Sequence, residues 1–188
     1  MRLNLPNKLT LLRIILTLIF IVLILQSGLI PKIAAALVFL IASLTDFLDG
    51  YYAKKHNVVT NFGKLMDPIA DKFLMLAAFF IFTLLHAIPT WMFVVILIRE
   101  VTITVMRLIA ISKGKVLAAE RTGKYKTIFQ IVAVSVILLY LIFQETVLAS
   151  TWPSTVFVYW GWVINILMGV VVVLTLGSGI KYLLDVKY

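Results

Sequence analysis

Six apolar runs, at roughly residues 8–27, 32–55, 67–87, 90–112, 125–145 and 155–183, take up nearly all of this 188-residue chain. No other feature constrains the fold so tightly. A helix needs about 20 apolar residues to cross the hydrocarbon layer of a bilayer, and each run is close to that length. Within hydrocarbon every backbone N–H and C=O has to find its partner inside its own segment, so the runs predict helices. Composition agrees: 63% of residues are hydrophobic and 13% charged, outside the soluble globular range. The expectation is an all-α integral membrane protein with six transmembrane helices, forming a single membrane domain over residues 1–188. The first run reads as a retained span rather than a cleaved leader. It is long, it carries Arg13, and no small-residue cleavage site precedes Lys32. The chain has no cysteine, which excludes a disulfide framework and a thiolate metal site.

The net charge of +9 is distributed by topology. With six spans, Arg2, Lys8, Lys54, Lys55, Lys64, Lys72, Lys113, Lys115, Arg121, Lys124, Lys126, Lys181 and Lys187 fall on one side and only Lys32 on the other. The positive-inside rule makes the basic side, with both termini, cytoplasmic. The charge then serves orientation and attraction to anionic headgroups, and nucleic acid is not an expected partner. The outer turns "QSGLIPK", "LHAIPT" and "QETVLASTWPST" are punctuated by Pro31, Pro89 and Pro153. Trp91, Trp152, Tyr159, Trp160 and Trp162 gather near them, as an interfacial aromatic belt does. The inner turns "AKKHNVVTNFGK" and "SKGKVLAAERTGKYK" carry most of the polarity, so any chemistry belongs on the cytoplasmic side.

Four of the eight acidic residues lie close together, at Asp46, Asp49, Asp67 and Asp71. Asp46 and Asp49 are spaced i, i+3 and Asp67 and Asp71 i, i+4, which puts each pair on one helix face. A short turn at "NVVTNFG" would bring the two helices back antiparallel, with the pairs facing. An ionised Asp at a membrane-helix centre costs roughly 2.5–3.5 kcal/mol on the insertion scale, so a convergent set demands cations. An oxygen-only donor set suits hard divalent ions such as Mg²⁺, Mn²⁺ or Ca²⁺, and four carboxylates have room for two. A plainer reading exists for each residue alone. Asp67 before Pro68 has the form of a helix start, and Asp46 and Asp49 can be interface residues. Gly50, Ala53 and Gly63 either open a groove beside the carboxylates or serve close helix packing.

The run Asp46-x-x-Asp49-Gly50-x-x-Ala53-Lys54, eight residues, then Gly63-x-x-x-Asp67-x-x-x-Asp71 resembles the signature of the CDP-alcohol phosphotransferase family. Every position and spacing matches except the first helix's final Arg, which is Lys54 here. That departure keeps the charge and gives up bidentate phosphate geometry. "LPNKLTLLRI", "REVTITVMRL" and "GKYKTIFQ" extend the likeness along most of the chain, toward the bacterial phosphatidylglycerophosphate synthases of that family. The resemblance implies transfer of a phosphatidyl group from CDP-diacylglycerol to glycerol 3-phosphate with release of CMP. It also implies six helices per protomer, a homodimer, and a site in the bacterial cell membrane facing the cytoplasm. By the same resemblance Asp46, Asp49, Asp67 and Asp71 hold two divalent cations, Mg²⁺ or Mn²⁺, and Asp71 is the catalytic base. Gly50, Ala53, Lys54, Thr60 and Gly63 line the CDP-diacylglycerol pocket, which Asn7 and Thr10 close from the first helix.

The acceptor's phosphate dianion needs its own cations. Arg107, Lys124 and Lys126 are the candidates, with Arg99 assigned a structural role, either paired with Glu100 or buried against another helix. His56 and His86 sit in turns on opposite sides and read as solvated loop residues. Two other classes compete. A small cation transporter would carry polar residues through to the outer face, and the outer halves of these spans are nearly uncharged. A non-catalytic scaffold leaves the carboxylate set without a purpose. Inside the family, inositol phosphate or serine as acceptor would use the same metal core.

Overall fold

The computed structural model describes the backbone of residues 5–56, 61–112, 121–146, 149 and 151–185; side chains are described for 10–45, 72–106, 108–110, 125–146, 149, 151–182 and 184. Six helices follow one another: α1 (Leu5–Leu25), α2 (Leu29–His56), α3 (Asn61–Leu84), α4 (Thr90–Ser112), α5 (Arg121–Gln144) and α6 (Ser154–Asp185). No strand occurs among the described residues. Five of the six begin and end within a few residues of the apolar runs. The third does not. It starts at Asn61, so Asp67 and Pro68 lie inside α3 rather than at its first turn, and the helix-start reading of Asp67 is set aside. Proline at position 68 leaves the Lys64 carbonyl without its helical donor, a loss that membrane helices tolerate when neighbouring groups re-satisfy it.

Two helices among the described residues are long and apolar enough to cross a membrane by themselves, over Tyr125–Gln144 and Ser154–Tyr182. Thr10–Leu25, Leu29–Thr45 and Lys72–Leu84 are shorter apolar stretches. The pattern of exposure fits a membrane protein. On α1 the buried positions are Thr10, Arg13, Thr17, Phe20 and Ile24, a single stripe at helical spacing, whereas Leu11, Ile15, Leu18 and Val22 are exposed. Polar groups face inward and aliphatic ones outward. Apolar surface on this scale is stable against lipid and not against water. Trp91, Trp152, Tyr159 and Trp162 are exposed near the outer turns, as the belt requires.

The chain forms two compact units, Met1–Ile81 with Leu141–Ser150, and Phe82–Tyr140 with Thr151–Tyr188. The first is built on the α1–α2 pair, where the Phe20 and Phe39 rings meet at 5.9 Å with a 50° tilt. Its turn needs Gly28, whose φ of +105° is a conformation that side-chain-bearing residues rarely adopt. The Gly28 N–H donates to Glu145 Oε2 at 3.0 Å, and Lys32 Nζ donates to the Ile24 carbonyl at 2.6 Å. Lys32 thereby caps the C-terminal end of α1, where a cation is favoured by the helix dipole. Lys32, which the six-span expectation sets apart from the other loop lysines, is thus a buried helix cap.

In the second unit α4 packs along α6. The turn into α4 closes α3 with a Schellman motif: Ala87 N–H donates to the Phe82 carbonyl at 2.8 Å and His86 N–H to that of Thr83 at 3.1 Å. His86 occupies the left-handed position of that motif at φ +55° and is exposed, in keeping with its reading as a solvated residue.

Candidate functional site

The aspartates are placed by their helices. Asp46 and Asp49 fall in the second half of α2, and Asp67 and Asp71 in the first half of α3. At ~1.5 Å per residue, Asp46 is about 25 Å along α2 from Leu29 and Asp71 about 20 Å from the outer end of α3. Both distances are shorter than the ~30 Å of a hydrocarbon layer, in which carboxylates are costly unless matched by cations. Gly50, Ala53 and Lys54 follow on α2, and Gly63 lies on α3 one helical repeat of four before Asp67. The longer α3 is what puts Gly63, Asp67 and Asp71 on a single helix. The side chains of these residues, all of Thr60, and the turn that would make the two pairs face each other lie outside the described residues.

The first helix is described in more detail. Thr10 is buried, as a residue closing a pocket from α1 would be, while the Asn7 side chain lies outside the described set. The contacts Phe20–Phe39 and Lys32–Ile24 fix the antiparallel register of α1 on α2. Counting inward from them brings Thr10 and Arg13 level with the stretch of α2 that carries Asp46 and Asp49. Arg13 is only 2% exposed, and Thr17 Oγ1 donates to its carbonyl at 2.8 Å. A buried guanidinium at this level is a feature the sequence reading noticed in passing and gave no role. Its signal was available: an arginine inside an apolar run faces protein, not lipid.

The cationic residues divide. Arg107 lies on α4 and Lys124 on α5, both with side chains outside the described residues. Lys126 is buried at 7% exposure, and its ammonium donates to Glu100 Oε1. Arg99 donates from Nη1 to the same oxygen at 3.1 Å and from Nη2 to Ser178 Oγ at 2.9 Å. Arg99 thus has both structural roles named for it, the pair with Glu100 and contact with another helix. The Arg99–Ser178 and Lys126–Glu100 contacts are the ones that spacing along the chain does not reveal.

The donor set suits a hard divalent cation. All four donors are carboxylates, and the chain offers no thiolate to draw a softer metal. Among the described residues no group of three or more metal-ligating side chains occurs, so nothing in the described part competes with Asp46–Asp71 for that role. A cavity of about 370 Å³ opens beside the 86–90 turn, Tyr140 and Gly161–Asn165 and contains none of the predicted site residues.

The family model of CDP-alcohol phosphatidyltransferase matches residues 3–176, which includes all six helices except the last turns of α6. The chain belongs to the CDP-alcohol phosphatidyltransferase family. Among its relatives, the CDP-diacylglycerol–glycerol-3-phosphate 3-phosphatidyltransferase of Bacillus subtilis is 46% identical over 149 residues, covering 73% of this chain and 77% of that protein. The enzyme of the same name from Rickettsia typhi is 38% identical over 137 residues, covering 72% and 76%. The resemblance drawn from the aspartate signature is therefore met by the comparison of nearly the whole chain. A transferase of this family works on lipid substrates, and the apolar helices belong with that setting.

Proposed function

We propose that this phosphatidyltransferase joins CDP-diacylglycerol to glycerol 3-phosphate, giving phosphatidylglycerophosphate and CMP, as a six-span protein of the bacterial cell membrane with both termini cytoplasmic. The observation that carries the reading is the Asp46–Asp71 signature, complete but for Lys54, in a chain 46% identical to a relative that bears this activity in its name. A homodimer of one membrane domain per chain completes the proposal, as the family resemblance implies.

Asp46, Asp49, Asp67 and Asp71 would hold two divalent cations, Mg²⁺ or Mn²⁺. When bound, such ions stabilise charge on phosphoryl oxygens. The chain's own residues supply the rest. Gly50, Ala53, Lys54, Thr60 and Gly63, with Asn7 and Thr10 from α1, line the nucleotide-lipid pocket. The glycines allow the pyrophosphate to approach backbone closely. Lys54 offers a point charge where the family signature has a fork-shaped guanidinium. Asp71 accepts the proton of the acceptor's primary hydroxyl as that oxygen attacks the lipid-side phosphorus. One P–O bond forms, the P–O bond to CMP breaks, and no covalent enzyme intermediate is needed. Arg107 and Lys124 face the acceptor's phosphate, while Lys126, the third candidate, is paired with Glu100.

The test is release of CMP from CDP-diacylglycerol by the purified protein with Mg²⁺ or Mn²⁺ and one alcohol at a time. Glycerol 3-phosphate should support turnover, and inositol phosphate and serine should not. Turnover with serine and none with glycerol 3-phosphate would replace the reading.

A further inference from the structure

The buried charges of the second unit form one connected group. Glu100 on α4, only 3% exposed, receives Lys126 of α5 and Arg99 of α4 on the same oxygen, Oε1. Arg99 continues the chain of contacts to Ser178 of α6, whose hydroxyl donates to the Thr175 carbonyl at 3.0 Å. Gly179 makes room for it. A Cβ at that position would stand 3.1 Å from Arg99 Cγ and 3.2 Å from Nε, inside ordinary contact distance. Two helices, α4 and α5, therefore meet on one carboxylate, and Arg99 links the third, α6, to it.

Their sequence positions give the group its place. Lys126 follows the start of α5 by five residues and Ser178 precedes the end of α6 by seven, so the group sits toward the cytoplasmic ends of both helices. Lys124 lies two residues from Lys126, and Arg107 lies two turns along α4 from Glu100, on the same helical face. The group thus joins the two helices that carry the proposed acceptor-phosphate cations.

We infer that Glu100 is a positioning residue for the acceptor site: by holding Lys126 and Arg99 it fixes the first turns of α5, and Lys124 with them, against α4 and α6. Lys126 then acts through Glu100 rather than on the acceptor. The inference rests on the reading of glycerol 3-phosphate as acceptor and goes beyond it. A carboxylate is an odd neighbour for a phosphate dianion, because electrostatics alone makes it repel one. Its retention is explained if order in the cations is worth more to acceptor binding than the repulsion costs. A buried carboxylate that loses a cationic partner is left with uncompensated charge, so Glu100, Lys126 and Arg99 depend on one another.

Sign makes the test. If Lys126 is itself a phosphate ligand, Glu100→Gln frees it and removes a repelling charge, so KM for glycerol 3-phosphate stays or falls. If Glu100 positions the site, KM for glycerol 3-phosphate rises. The experiment measures KM for each substrate and kcat by CMP release, in wild type and Glu100→Gln, with each protein checked for a single peak on gel filtration in detergent. The expected result is a roughly tenfold rise in KM for glycerol 3-phosphate, with KM for CDP-diacylglycerol within about twofold and kcat within about threefold. An unchanged or lower KM for glycerol 3-phosphate overturns the inference, and so does a parallel loss in all three parameters. Should Glu100→Gln fail to fold, Ser178→Ala decides through the other arm of the group. It should raise the same KM about threefold, and no change there is equally fatal. Wild type without glycerol 3-phosphate turnover overturns the acceptor reading and this inference together; active wild type with an unaltered variant overturns this inference alone.

Discussion

Two glycines of α6, two residues apart, should respond to the same substitution with opposite sign. A Cβ at Gly177 meets nothing within 4 Å, whereas at Gly179 it meets Arg99 Cγ at 3.1 Å and Nε at 3.2 Å. Replacing glycine by alanine inside a helix contributes about 0.5–1 kcal/mol of stability at either position. At Gly179 a cost opposes it. Arg99 is tied at Nη1 to Glu100 and at Nη2 to Ser178, so it retreats only by lengthening one of those contacts. A hydrogen bond to a charged group contributes about 1.5–3 kcal/mol, and losing one outweighs the gain in helix propensity. Gly179→Ala should therefore fall below Gly177→Ala by about 1.5–3 kcal/mol. For a chain of this size that is a difference in midpoint of about 3–12 °C. Thermal unfolding in detergent, followed by the fluorescence of the four native tryptophans, reads it without labelling. Equal midpoints, or a Gly179→Ala variant above Gly177→Ala, would show that Arg99 is not held as described.

Asp46→Asn and Asp67→Asn should each abolish turnover and weaken Mn²⁺ binding, read by electron paramagnetic resonance of the free ion; full activity of either at saturating metal would sink the ligand assignment. Arg107→Ala and Lys124→Ala should each lower kcat/KM for glycerol 3-phosphate about ten- to hundredfold, the effect of one charge-assisted contact, with CDP-diacylglycerol binding kept. Asp71→Asn should instead keep acceptor affinity and lose turnover, and steady-state kinetics with each substrate varied separates the two patterns. Since the chain has no cysteine, single cysteines at Ser112 and Ser154 report topology cleanly. An impermeant maleimide added outside sealed cells should label the second and not the first, and the reverse result would invert the proposed orientation.

How much of this was legible in the sequence depends on what each feature rests on. Helix positions were legible because hydrophobic length is a local property, and five of six helices start and stop with their apolar runs. The start of α3 was not. "NFGKLM" is too short and mixed to announce a helix, and Asp67-Pro68 imitates a helix start. The consequence is favourable to the site, since the extra turns carry Gly63 onto the helix of Asp67 and Asp71. The aspartates stand out as a pattern because their spacing is fixed within two short segments, while the facing of the two pairs lies outside the described residues. The Glu100–Lys126 pair was not, because 26 residues and a turn separate its members and only packing brings them together. A weaker signal was present: a lone Glu in the middle of an apolar run requires a cation from another helix.

Two sets of charged residues differ in kind, and the contrast bears on function. Lys32 and the group of Arg99, Glu100 and Lys126 are matched within the protein, one by a helix carbonyl and the others by each other. Each explains itself as a device that ends a helix or joins helices. The stretch from Asp46 to Asp71 is different in kind. It concentrates half of the chain's acidic residues, and the lysines interleaved with them are Lys54, Lys55 and Lys64, fewer than the carboxylates. Capping or pairing needs one carboxylate at a time and no fixed spacing. Four at i, i+3 and i, i+4, with small residues between them, is the arrangement that gathers external cations against a phosphate. The protein thus holds these structural charges by contacts within itself, and the Asp46–Asp71 stretch is where the metals and substrates of its family would supply counter-charge.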